Sequence, residues 1–200
     1  LVSAQDKEMK TNSAKFIRDI YTEALTRGYA YEDLRFLCKE IGARITGSTE
    51  AQMAIEWGQE KMKSYGLETR LHEIQVPHWE RGTKEAFYLK TSGGTHLKLR
   101  GLALGGSVGT NGTLRGNLIE FESLEALKEA TPEMVKGKIV FVNQAMDAKQ
   151  IQTFKAYGGC YPLRGNSASI AAEKGAIGSV IRSLGLASDP HPHTGSMYYT

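Results

Sequence analysis

From Ser13 to Arg27 the apolar residues Phe16, Ile17, Ile20, Ala24 and Leu25 recur at helical spacing. The pattern predicts an amphipathic helix capped at Ser13 and stopped by Gly28. A second helix is predicted from about Tyr31 to Ile41, ending at Gly42. A third starts near Ser48 or Thr49 and ends at Gly66. Polar and apolar residues then alternate over Leu67–Val76 and again over Glu85–Lys90, the period of a strand. Joined through Pro77-His78-Trp79-Glu80-Arg81-Gly82, these two segments predict a β-hairpin.

After Thr91-Ser92-Gly93-Gly94-Thr95 the texture changes to short apolar runs broken by glycine, which is how a module of short strands reads. This puts a domain boundary near residue 95, dividing the chain into 1–94 and 95–200. Leu114–Phe121 reads as a strand. The clearest unit follows Gly137: a buried strand Lys138–Val142, a short helix Asn166–Lys174, then Gly175 and a strand Ala176–Ile181. That order implies a parallel crossover and an α/β class. Asp189-Pro-His-Pro-His-Thr-Gly195 predicts a turn-rich loop, because each Pro restrains itself and the residue before it.

Charge narrows the possible partners. With 25 basic and 22 acidic residues the 200-residue chain carries a formal +3, and the Lys and Arg are scattered rather than gathered into a stripe. Nucleic acid is therefore not an expected partner. No apolar run reaches the roughly 18 to 20 residues that span a bilayer, so no membrane partner is expected. Leu1-Val2-Ser3-Ala4-Gln5 reads like the end of a signal peptide, with small residues Val2 and Ala4 at cleavage spacing. Residues 1–4 as a signal remnant imply a secreted or periplasmic product, although an arbitrary chain start would give the same letters. Of the two cysteines, Cys38 shares a helical face with Leu34, Leu37 and Ile41, which predicts a buried thiol. Pairing between Cys38 and Cys160 is left open.

Four short motifs are candidates for chemistry. Gly105-Gly106-Ser107-Val108-Gly109 fits the letters of the serine-hydrolase turn, whose serine needs a strand before it and a helix after it. Turn residues Thr110-Asn111-Gly112-Thr113 follow instead, so a structural glycine loop is the expectation for Ser107. The same glycines lack the G-x-G-x-x-G spacing of a dinucleotide site. His191 and His193 could point to one side of an extended segment with Asp189 nearby. A hydrolytic zinc site, however, needs at least three protein ligands and an open position. His78-Trp79-Glu80 reads as a packed turn, with Glu80 and Arg81 forming a surface ion pair beside Trp79. Asn111-Gly112-Thr113 is a glycosylation sequon, meaningful only in a eukaryotic secreted product. Spacing and composition alone assign no catalytic, metal or substrate residue.

Six stretches taken together resemble the co-catalytic dizinc exopeptidases of carboxypeptidase Q type. They are Ile41-Gly-Ala-Arg-Ile-Thr-Gly-Ser48, Pro77-His-Trp-Glu-Arg-Gly82, Leu104-Gly-Gly-Ser-Val-Gly-Thr110, Gly137-Lys-Ile-Val-Phe-Val-Asn-Gln144, Ala171-Ala-Glu-Lys-Gly-Ala-Ile-Gly-Ser-Val-Ile-Arg-Ser183 and Pro192-His-Thr-Gly195. The resemblance implies that 1–94 is the edge of an α/β catalytic domain, helices plus hairpin, and that 95–200 is a protease-associated domain inserted into it. In that family two zinc ions are held by His, Asp and Glu residues that follow the insertion, with a Glu as general base. No counterpart of those motifs occurs before Thr200, so no catalytic or metal role is carried onto any residue here, and this chain alone is expected to be inactive. For the complete enzyme the resemblance implies a zinc-bound hydroxide attacking a dipeptide or short peptide. It also implies the remainder of the catalytic domain as a partner, and a homodimer as a further possibility. The competing expectation is a non-catalytic module that binds peptides or partner domains.

Overall fold

A computed structural model describes residues 4–187 and 190–199, with side chains from residue 12 onward. The chain divides into two compact units, Leu1–Glu80 and Arg81–Thr200. The boundary read from sequence texture, near residue 95, falls inside a hairpin of the second unit.

The first unit is helical. Helix α1 runs Ala4–Thr26, so Ser13 lies inside it rather than at its cap. Residues 4 to 10 include Ala, Gln, Lys, Glu and Met, all good helix formers, and the helix propagates through them. Helix α2, Ala30–Phe36, passes into a π-helical turn, Leu37–Ile41, closed by Gly42 N–H donating to the Leu37 carbonyl at 3.0 Å. That wider turn shifts the side-chain phase. Ile41 is buried, but Cys38 is exposed, correcting the expectation of a buried thiol. Helix α3 is Thr49–Ser64. Ser48 caps it, its Oγ accepting from Ala51 N–H at 3.1 Å. Ser48→Ala is expected to lower the stability of this unit by about 1 kcal/mol in chemical denaturation, and a change below about 0.3 kcal/mol would remove the cap from the account.

Between α2 and α3, Phe36 stacks on Trp57 with centroids 5.5 Å apart. Asp33 bonds Lys61 at 2.8 Å, and that hydrogen bond raises the Lys61 pKa. Yet Phe16, Ile17, Ile20, Tyr21 and Leu25 of α1 remain exposed.

The expected hairpin forms with a different partner. Residues 67–76 form no strand, whereas β1, Phe87–Lys90, pairs antiparallel with β2, His96–Leu99, in the register Phe87↔Leu99 to Lys90↔His96. The turn Thr91–Thr95 decides this. Thr91 N–H donates to the Thr95 carbonyl at 2.9 Å, and Gly94 takes φ +84°, a conformation that favours glycine. Residues 67–76 have no neighbouring strand to supply a ladder among the described residues.

The second unit contains the core. Strands β3 (Leu118–Phe121), β4 (Ile139–Val142) and β5 (Gly178–Ile181) form a parallel sheet in the order β3-β4-β5. The short helices α4 (Leu124–Glu129) and α5 (Pro132–Val135) connect β3 to β4, and α6 (Thr153–Glu173) connects β4 to β5. This is the crossover predicted from the pattern, but α6 is far longer than the expected Asn166–Lys174. Gly158, Gly159, Pro162 and Gly165 read as breakers. Tertiary burial overrides them: Ala156, Cys160, Leu163, Ser167 and Ala171 are buried, and their mostly small side chains let the helix approach its neighbours closely.

Candidate functional site

Each motif singled out in the sequence now has a position. Ser107 follows an isolated bridge, Gly105↔Ser196, and no helix begins before Leu124, so the strand–serine–helix turn is absent. Asn111, exposed with φ +48°, sits on the turn beyond it. His78 Nε2 lies 3.0 Å from Glu80 Oε1 at the surface, and Trp79 is half-buried. The ion pair expected between Glu80 and Arg81 does not form. Arg81 bonds Glu85 at 2.8 Å instead, because Glu85 is held by the Ala103 N–H at 2.9 Å and Arg81 also reaches the Ala103 carbonyl at 2.8 Å.

Asp189 lies outside the described residues, and His191 is exposed. His193 is drawn into a cluster that the sequence did not announce. Its Nδ1 lies 3.3 Å from Arg164 Nη1, its ring meets Tyr157 edge-on with centroids 5.6 Å apart, and its backbone N–H donates to Ser183 Oγ at 2.7 Å. A guanidinium against the ring nitrogen is an unfavourable neighbour for a metal cation. Arg164, only 7% exposed, also donates to the Thr194 carbonyl at 3.3 Å and lies 5.7 Å and 5.1 Å from the ring centres of Tyr157 and Tyr161. The Tyr161 hydroxyl bonds Tyr198, which raises its pKa. Arg81 Nη2 reaches Thr194 Oγ1 at 3.3 Å. Sequence reasoning missed Arg164 because it lies in the Gly- and Pro-interrupted stretch read as loop. The signal available was an Arg spaced at i+3 and i+7 from two tyrosines, which becomes visible only once the helix is continuous.

No group of three or more His, Cys, Asp or Glu side chains converges to hold a metal among the described residues. No described helix is long and apolar enough to cross a membrane.

Among the described residues, then, the chain offers a helical unit and a unit built on a three-stranded parallel sheet, the latter carrying the Arg164 cluster, with no converging group of metal donors. No family model matches the sequence. The fold is similar to the crystal structure of a Peptidase M28 precursor from Shewanella amazonensis SB2B, with a TM-score of 0.81 and 31% identity, covering 93% of this chain and 41% of that one. Carboxypeptidase Q from Bos taurus is 33% identical over 188 residues, 93% of this chain and 37% of the relative. The Xenopus laevis protein is likewise 33% identical over 93% of this chain, and 38% of its own length is covered. Across 93% of its length the chain is homologous to part of carboxypeptidase Q and of an M28 peptidase. It spans between a third and two fifths of the length of the curated relatives it matches.

Proposed function

We propose that this chain acts as the leading portion of a secreted or periplasmic zinc-dependent exopeptidase that hydrolyses dipeptides or short peptides. In this reading the first unit belongs to the edge of the catalytic domain. The second unit is a protease-associated domain that shapes access for small substrates. The observation that carries the reading is the match across 93% of this chain to little more than a third of carboxypeptidase Q, with no metal-competent cluster among the described residues. The described residues do not fit a zinc pair: His193 faces a guanidinium, and His78 sits against Glu80 in no group of three donors. The ligands would come from sequence beyond these residues. The uncovered apolar face of α1 supports a partner surface in the remaining catalytic domain, since a contiguous exposed patch of that kind marks an interface. A homodimer would be a second use of such a face.

The test pairs metal content, by plasma mass spectrometry after zinc incubation and desalting, with dipeptide hydrolysis. The chain alone is expected to hold substoichiometric zinc and turn over nothing. A chimera in which it replaces the matching portion of bovine carboxypeptidase Q is expected to hydrolyse dipeptides. About two tightly held zinc ions with turnover in the chain alone would overturn the reading. A folded chimera that binds peptides without cleaving them would favour the alternative, a non-catalytic binding module, for which the second unit's own core speaks.

A further inference from the structure

Arg164 is an unusual cation. It is 7% exposed, its Nε is buried without a hydrogen-bond partner, and the contacts described for its guanidinium are a ring nitrogen, a carbonyl and two tyrosine rings, none of them a carboxylate. Burying a guanidinium without a counter-charge is costly, so the position must be over-determined by its surroundings. Those surroundings are the segment His193–Met197. Thr194 is bonded twice, through its carbonyl by Arg164 from α6 and through its Oγ1 by Arg81 from the first residue of the unit. Directly after it, Gly195 presses on the guanidinium so closely that a Cβ there would lie 2.4 Å from Arg164 Cζ. The Gly195 carbonyl then accepts from Gly105 N–H at 2.8 Å, and Met197 N–H donates to the Gly105 carbonyl at 2.9 Å.

We propose that Arg164, Arg81, Thr194 and Gly195 form a clasp that ties the entry of the second unit, at Arg81, to its later segment 193–197, so that the unit is held closed at one point. Arg164 acts as a positioning residue: the tyrosine rings hold its planar group, and it in turn holds the backbone of the segment. A side chain at position 195 would force the end of the Arg164 side chain to shift, and with it the hydrogen bond that holds Thr194. A unit whose first residue is bonded to a distant segment of the same unit is held at that point against local opening. The functional weight of the clasp, setting the angle of a substrate-access domain, rests on the proposed peptidase reading; its existence does not.

The experiment is hydrogen exchange on this chain, read at Gly105 and Met197, with Val140 and Val142 of β4 as internal references. Gly195→Ala is expected to speed exchange at Gly105 and Met197 about tenfold while the β4 amides keep their protection. Arg164→Ala is expected to do the same. In the Arg164→Ala background Gly195→Ala should add almost nothing, because the atom it collides with is gone. Unchanged exchange in Gly195→Ala, an undiminished effect of Gly195→Ala without Arg164, or an equal rise throughout β4 would each overturn the clasp. None of these outcomes bears on whether the complete protein is a peptidase.

Discussion

Leu127→Ala lowers the stability of the second unit by about 3–5 kcal/mol, the range for a fully enclosed leucine whose cavity cannot collapse. Leu127 is 0% exposed and shares the core with Phe121, Leu124, Val140 and Leu163. The helix that carries it is fixed at both ends, which is why relaxation is limited. Ser123 Oγ accepts from Ala126 N–H at 3.1 Å, Gln144 Oε1 accepts from Leu124 N–H at 3.1 Å, and Lys174 Nζ donates to the Ala130 carbonyl at 2.7 Å. By contrast, Ile151→Ser and Phe154→Ser, at positions 99% and 90% exposed, should change stability by less than about 0.5 kcal/mol. Both tryptophans, Trp57 and Trp79, lie in the first unit. Tryptophan fluorescence therefore follows that unit, while amide exchange in β4 follows the second. A Leu127→Ala cost below about 1 kcal/mol, or one as large for Phe154→Ser, would mean that the core lies elsewhere.

At neutral pH a thiol reagent is expected to modify Cys38 at least about a hundredfold faster than Cys160, since thiolate character and access both control reactivity. Cys38 is exposed, whereas Cys160 is 3% exposed and its thiol donates to the Ala145 carbonyl at 3.4 Å. Burial pushes the Cys160 pKa up, only partly offset by a hydrogen bond to Gln144 and the charge of Arg182. The sign for stability follows directly. The native thiol keeps its proton at a pH where the unfolded thiol, near its ordinary pKa of about 8.5, has released it. The second unit therefore loses stability as pH rises past that value toward the raised native one. Cys160→Ser should flatten this part of the profile. Equal modification rates for the two thiols in the native chain would refute the assignment, and a denaturant that equalises them supports it.

The periodic pattern by itself determined the three opening helices, the strands around Leu118, Ile139 and Gly178, and the parallel strand–helix–strand order. These depend on local spacing and on burial of a single face, which sequence expresses directly. Resemblance in scattered stretches was also legible, and it led to the family. Pairing and phase were not legible. Residues 67–76 alternate like a strand, but a strand needs a neighbour, and the turn at Thr91–Thr95 gave Phe87–Lys90 to His96–Leu99 instead. The face of Cys38 was decided by a π turn that no periodicity announces. The glycines and proline of α6 argue against a helix locally, and only packing against the sheet outweighs them. Arg164 reaches His193, Thr194 and Gly195 across about 30 residues of chain, and Arg81 reaches Thr194 across 113. Contacts of that separation arise from the closed fold, so the clasp belongs wholly to the tertiary structure.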